Sequence, residues 1–379
     1  TRITKNHNVE DHYISAVLKE WELRMKQMPD KVVIKDLHLG GGTPTFFSPA
    51  NITRLINGIN QNCLIANDAE FGFEGHPNNT TDEHLETMYD LGFRRVSFGI
   101  QDFDERVQRL INRIQPYENV RRVTESARSI GYESINYDLI YGLPGQTMES
   151  METTMEQTID LNPDRIALYG YAHVPGIKPA QRVFESQLPI AKERADFYQF
   201  SKKILTHAGY HDIGMDHFAK TGDTLHKAAK SGTLHRNFMG YSTQSTRLQI
   251  GLGVSAISDA WTAFSQNEKV IEQYYQRINK GEVPAFKGHI LNRKDLTIRQ
   301  HILNLMCRYQ TQWHEEELNI FGLDMNFDLL ESLQEDELIH VDKNGLEIKD
   351  KGKPFVRNIC MTLDARLNNG GSSSFSKTI

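Results

Sequence analysis

The chain has 379 residues, 39% hydrophobic and 24% charged, with a formal net charge of −6. That balance suits a globular protein in water and argues against a nucleic-acid partner, though it leaves room for a local basic pocket. No apolar run approaches the roughly 18 residues of a membrane span, and no signal-peptide pattern opens the sequence. Cys63, Cys307 and Cys360 are too scattered for a CxxC site or a disulfide framework, so a reducing cytoplasm is the expected compartment.

In chain order, the first strand candidate, 32–38, runs into Gly40-Gly41-Gly42-Thr43-Pro44-Thr45. Ser48-Pro49 then reads as an N-cap followed by proline at the first helical position. Thr80 and Glu83 have capping-box spacing ahead of the next helix, and Thr147 can cap the helix that begins at Met148. Gly92, Gly131 and Gly209 each stand where a helix would end in a left-handed residue. An aromatic and then a strand follow each one. The strand candidates are 32–38, 70–74, 95–100, 135–141, 165–171 and 211–216, alternating with helices in units of roughly 40 residues. This predicts an α/β fold with a parallel sheet and helical crossovers, either barrel-like or doubly wound.

Chemistry in such folds gathers at the carboxyl ends of the strands. Those ends carry Gly40 to Thr43, then Glu74, Gln101-Asp102, Asp138 with Tyr141, and Tyr171-Ala172-His173. Taken singly, each is an ordinary strand-to-helix turn; as a series at one end they point to a site. From about Leu296 the pattern changes to helices as far as about Leu333, a hairpin turning at Asn344-Gly345, and a helix with Val356, Ile359, Cys360 and Leu363 on one face. That order resembles a winged helix. The expected division is a barrel domain over 1–290 and a mainly helical, winged-helix-like domain over 291–379, ending in a mobile NNGGSSSF tail.

GGGTPT lacks both the GK[ST] ending of a Walker A loop and the GxGxxG spacing of a dinucleotide fingerprint. A phosphate would use the N–H groups of such a loop. An ammonium would use its carbonyls, and the loop alone leaves both open. Two carboxylates, Glu74 and Asp138, with Arg113 suit a zwitterionic ligand better than a phosphate. Arg113 can hold a carboxylate bidentately, and a carboxylate at a strand end suits ribose hydroxyls. A surface ion pair is the competing reading of Arg113 and Asp138.

The blocks LHLGGGTPTFF, RVSFGIQDFDERVQRLINRIQ, DLIYGLPGQT, NPDRIALYGYAHVP, GMDHFA and LHRNFMGYSTQ with GLGVSAIS resemble the oxygen-independent coproporphyrinogen III oxidases, which are radical S-adenosylmethionine (radical SAM) enzymes. The likeness runs from the first residues to the closing FSKTI. It implies a partial (β/α)6 barrel, here without its first strand, with the winged-helix-like part as a cover for the substrate. It also implies that Gly41, Gly42 and Thr43 hold the methionyl end of S-adenosylmethionine. Glu74 and Arg113 match contacts to that ligand or to a second copy. Gln101 and Asp138 match ribose-side contacts, and Ala172 and Ile257 match residues lining the ligand pockets.

The same likeness calls for a 4Fe–4S cluster held by a Cx3Cx2C loop, which the three cysteines of this chain do not form. They read as small buried residues. The chain begins at Thr1 and, by the resemblance, just beyond that loop, so the cluster ligands are expected upstream of Thr1 and the 379 residues alone are expected to be inactive. The alternative is a cluster-free relative that binds its ligand without radical chemistry.

The implied reaction splits S-adenosylmethionine into methionine and a 5′-deoxyadenosyl radical. The radical takes hydrogen from a propionate of coproporphyrinogen III, and loss of CO2 and an electron leaves a vinyl group. Two such events give protoporphyrinogen IX. An unidentified reductase supplies electrons, and the enzyme is expected to be a cytoplasmic monomer with no membrane partner. No protein acid or base is assigned. Arg182 and Arg236 are candidates for the substrate carboxylates by position, and His173, His217 and His235 for substrate contact, each also readable as structural. A haem chaperone of the same fold is the first rival. A winged-helix regulator is the second, disfavoured by the lack of a Lys/Arg stripe on the last helix.

Overall fold

A computed structural model describes residues 6–317 and 327–364. Along the chain come α1 (Glu10–Met25), β1 (Val33–Leu39), α2 (Pro49–Asn60), β2 (Leu64–Gly75), α3 (Asp82–Asp90) and β3 (Arg95–Gln101). Next are α4 (Glu105–Leu110), α5 (Tyr117–Ile130), β4 (Ser134–Tyr141), α6 (Met148–Leu161), β5 (Arg165–Gly170) and α7 (Ala191–His207). The strands β6 (Tyr210–Gly214) and β7 (His217–Lys220), α8 (Thr224–Ser231), β8 (His235–Asn237) and β9 (Gly240–Ser242) follow. Then come β10 (Ile257–Asp259), β11 (Ala263–Asn267), α9 (Ile271–Asn279) and β12 (Ala285–Ile290). The last elements are α10 (Arg293–Arg308), β13 (Gln310–Gln312), α11 (Phe327–Glu335), β14 (Ile339–Asp342), β15 (Gly345–Ile348) and α12 (Val356–Thr362).

Two compact units emerge. The first comprises 1–100, 118–137 and 246–291, the second 101–117, 138–245 and 292–379. In the first, β1, β2, β3 and the start of β4 are sheet neighbours in that order. The pairs β1–β2 and β2–β3 are parallel, as the alternation of elements predicts. Strand pleating sorts their residues. Leu37, Phe71, Phe73, Val96, Phe98, Ile135 and Tyr137 are buried, and α2 buries Ile52, Leu55, Ile56 and Ile59 at helical spacing. The intervening residues are polar: Arg95 meets Glu70 at 2.9 Å and Asp36 at 3.6 Å, and Asn136 Nδ2 donates to Ser97 Oγ at 2.8 Å.

Three expectations shift. The capping box before α3 is formed by Thr81 with His84, one residue later than the spacing of Thr80 and Glu83 suggests. Thr80 instead donates its hydroxyl to the His76 carbonyl. β2 begins at Leu64, because Leu64 and Ile65 pair with Val33 and Ile34 before a register shift. In the second unit the last part of β4 is followed across the sheet by β5, β7 and β6. The expected strand 211–216 is the first arm of a hairpin. Gly214 at φ +142° and Met215 at +48° turn the chain, so that β7 lies antiparallel to both β5 and β6. β6 keeps the direction of β5 but is not its neighbour.

Ser48 and Thr147 do cap α2 and α6, and Gly92, Gly131 and Gly209 all have positive φ. Past Asn292, the hairpin β14–β15 gains a third strand, β13, in the order β13-β15-β14. Val356, Ile359, Cys360 and Leu363 are buried as expected, in one cluster with Leu305, Trp313, Leu330, Ile339, Leu346 and Ile348. The expected tail, and residues 318–326 of the expected helical run, lie outside the described residues.

Candidate functional site

In the first unit, β1 delivers the chain to the glycine turn and β2 delivers Glu74 beside it. Gly41 takes φ +82°, a left-handed conformation that costs an L side chain about 1–2 kcal/mol. Its N–H donates to Glu74 Oε2 at 3.1 Å. A Cβ on Gly40 would lie 2.7 Å from Glu74 Oε1 and 2.9 Å from His38 Nε2, so the missing side chains let this carboxylate close on the turn. His38 lies 3.6 Å from the same carboxylate. Thr43 then stands at the N-cap position of a short 3-10 helix, Pro44–Phe46, without a side-chain capping bond. Gly41 and Gly42 are exposed and Thr43 and Glu74 half-buried, whereas Phe73 beside Glu74 is buried. An open backbone turn with a tethered carboxylate is a fitting receptor for the ammonium end of an amino acid.

Ile257, in the same unit, opens β10 on a segment tied down by a buried carboxylate. Glu20, fully buried, accepts from Arg24 Nε, the Gly253 N–H, Asn267 Nδ2 and Tyr274 Oη, each at 2.8 Å. Arg24 donates onward to Asn267 Oδ1 at 2.8 Å. A charge this deep is tolerated only because it is paired and fully hydrogen-bonded. Sequence reasoning passed over Glu20, whose only local signal is its pairing with Arg24 one helical turn away.

The second unit carries the other candidates. Gln101 ends β3 at φ +71°, a conformation rare outside glycine and one that collects at functional sites. No sequence signal announces it. Asp102, with no exposed surface, accepts from the Asp104 N–H at 2.6 Å, Gln146 Nε2 at 2.5 Å and Thr154 Oγ1 at 3.1 Å. Burial outweighs these bonds and pushes its carboxyl up to about 6.

Gln108 staples the loop that follows. Its Nε2 donates to the carbonyls of Asp102 and Gln115 at 2.9 Å, and its Oε1 accepts from the Gln115 N–H at 2.8 Å. Arg113 leaves that loop half-buried. Burial lowers its pKa, while the nearby Asp138 charge opposes the fall. Arg113 and Asp138 are thus close enough to feel each other, as Gly41 and Glu74 are in the first unit. Ala172 is exposed, its carbonyl accepting from Gln181 Nε2 at 3.0 Å. His173 Nε2 meets Glu185 at 3.0 Å, and Arg182 is exposed.

The cysteines do not fit a cluster. Iron–sulfur ligands are thiolates. Burial raises Cys63, pushes Cys307 up to about 11 and pushes Cys360 up to about 12. The Cys63 thiol donates to the Ile59 carbonyl. Among the described residues no group of three or more His, Cys, Asp or Glu is arranged to hold a metal ion.

The radical SAM superfamily domain matches residues 4–158, a span that includes the glycine turn and Glu74. The chain is 39% identical over 373 residues to the oxygen-independent coproporphyrinogen III oxidase of Salmonella typhimurium, covering 96% of this chain and 81% of that protein. To the enzyme of the same name from Pseudomonas aeruginosa it is 36% identical, covering 100% and 84%. The solved coproporphyrinogen III oxidase of Escherichia coli, described as a radical SAM enzyme, superposes with a TM-score of 0.90 at 37% identity, covering 97% of this chain and 86% of that one. The chain belongs to the family of oxygen-independent coproporphyrinogen III oxidases.

Proposed function

We infer that the protein oxidatively decarboxylates two propionates of coproporphyrinogen III without oxygen, leaving the vinyl groups of protoporphyrinogen IX in porphyrin biosynthesis. Family membership carries this reading, and the glycine turn tied to Glu74 gives it a receptor for the cofactor's amino acid. When bound, S-adenosylmethionine supplies the 5′-deoxyadenosyl radical that takes hydrogen from a propionate side chain.

The residues contribute binding, orientation and exclusion of water. Carbonyls of Gly41 and Gly42, with Thr43, receive the methionyl end. Glu74 holds the turn open and neutralises the ammonium. Arg113 takes a carboxylate, Gln101 and Asp138 the ribose hydroxyls, and Ala172 and Ile257 line the pockets. The family also uses a 4Fe–4S cluster, which the described cysteines do not fit, and no step is assigned through them. The same reading has the enzyme acting as a cytoplasmic monomer fed by a separate reductase. No helix among the described residues is long and apolar enough to cross a membrane.

The test is anaerobic incubation of the full-length, iron- and sulfide-reconstituted protein with coproporphyrinogen III, S-adenosylmethionine and a reductant. Products are then oxidised to porphyrins and separated. Protoporphyrin, with a three-carboxylate intermediate on the way, is expected. Unchanged coproporphyrin, together with a Soret shift on adding haem, would point instead to a haem-binding relative.

A further inference from the structure

We propose that Arg236 and His217, in the second unit, form a seat for one propionate of the tetrapyrrole; the proposal rests on the oxidase reading above and adds the residues that recognise its substrate. Arg236, in β8, lies over the Tyr241 ring, 4.8 Å from its centroid. Stacking fixes the guanidinium plane and so the direction of its N–H fork. Its Nη1 is closed off from water and has no hydrogen-bond partner. His217 opens β7, its ring edge-on to Tyr241 at 5.3 Å and to Tyr169 at 5.9 Å. Its Nδ1 is likewise shielded and unpartnered.

Buried polar groups without partners are exceptions in folded proteins. Here two of them share one aromatic ring, Tyr241. A carboxylate, with its two oxygens, can accept from Arg236 Nη1 and from an N–H at His217 Nδ1 together. Burial, reinforced by Arg236 and Arg165, pushes the His217 pKa down to about 3, so the ring offers a neutral donor. Asp216, next in the chain, is pushed up to about 6 by burial against the pull of Arg236 and Arg357; it keeps most of its charge at neutral pH and would take up a proton beside an incoming anion.

The surroundings select the rest of the ligand. The β8–β9 turn presents Phe238 and Met239, 53% and 51% exposed, and Tyr169 is 38% exposed. A charged seat with an apolar lip suits an acid carried on a large apolar ring system. A small dicarboxylate or an inorganic anion would use the seat and leave the lip bare.

The test uses coproporphyrin III, the fluorescent oxidised form of the substrate, titrated into the full-length protein, with its tetramethyl ester as the uncharged control. Arg236→Gln is expected to weaken binding of the free acid about 10- to 100-fold. Arg236→Lys should recover part of the loss, and the ester should bind wild type and variant alike. The KM for coproporphyrinogen III should rise in Arg236→Gln, while its affinity for S-adenosylmethionine stays at the wild-type value. Should Arg236→Gln fail to fold, His217→Phe serves as the second variant, with at least a fivefold loss expected. Free-acid binding within twofold of wild type in a folded variant, or an ester that binds wild type as tightly as the acid, overturns the seat. A wild-type protein that forms no vinyl product overturns the oxidase reading itself.

Discussion

Replacing Gly41 by alanine isolates the role of the glycine turn. The residue sits at φ +82°, and an added Cβ would meet nothing within 4 Å. The substitution therefore brings no clash, only the strain of a left-handed L residue, about 1–2 kcal/mol. The cheapest relief is to rotate the turn, which breaks the Gly41 N–H bond to Glu74 and turns the neighbouring carbonyls away. If all the strain falls on the binding-competent form, affinity for S-adenosylmethionine should drop roughly 5- to 30-fold, at 1.4 kcal/mol per decade. Gly209 is the matched control, with φ +86° and again nothing within 4 Å of an added Cβ, but at the end of α7. Calorimetric titration of both alanine variants of the full-length reconstituted protein, with thermal melts, separates strain from function. Gly209→Ala should lose the more melting temperature, since Gly41→Ala sheds strain by rotating the turn, and lost affinity is expected for Gly41→Ala alone. Equal affinity in the two variants would refute the assignment of the turn to the ligand.

Other outcomes follow from the same geometry. Glu20→Gln removes the charge that balances buried Arg24 and should cost about 3–5 kcal/mol in urea unfolding, with Ile257's segment showing faster amide exchange; a loss under 1 kcal/mol would contradict the network. Asp102 holds its proton more tightly folded than unfolded, 3.8 rising to about 6. Its contribution is therefore full below about pH 3.8 and lost as pH rises through about 6, worth about 3 kcal/mol. The stability difference between wild type and Asp102→Asn should shrink by most of that amount, roughly 2–2.5 kcal/mol, from pH 4 to pH 7; parallel profiles would contradict it. Changing Cys63, Cys307 and Cys360 together to alanine should leave the iron and sulfide content of the full-length protein unchanged, and loss of iron would make one of them a ligand.

Much of the fold was legible because burial on one face of a strand leaves a strict alternation. Val96, Phe98 and Ile100 alternate with Arg95, Ser97 and Gly99, and Ile135 and Tyr137 with Asn136 and Asp138. The glycines at 92, 131 and 209 marked helix ends for a steric reason that composition alone reveals. The β6–β7 hairpin was hard to read, because only one residue of its turn, Gly214, carries a turn signature, while Met215, also at positive φ, carries none. β13 was missed because three residues, Gln310 to Gln312, carry too little pattern to separate from a helix end.

At the site, the glycine turn, Glu74, Arg113 and Asp138 could be picked out by residue type and place. Other constraints were hidden. Gln108, Gln146 and Glu20 act through bonds to partners up to hundreds of residues away, and the positive φ of Gln101 is a backbone angle. Neither kind of constraint leaves a local pattern. Arg236 and His217 were named by position, and only their shared contact with Tyr241 and their missing acceptors distinguish them from ordinary structural residues.

The most direct measurement follows one hydrogen atom. Coproporphyrinogen III deuterated along its propionate chains is turned over anaerobically by the full-length protein, and the 5′-deoxyadenosine is collected for mass spectrometry. Deuterium in that nucleoside, matched by release of CO2 and formation of vinyl groups, is the predicted result. Vinyl product beside unlabelled 5′-deoxyadenosine, or no 5′-deoxyadenosine at all, would contradict it.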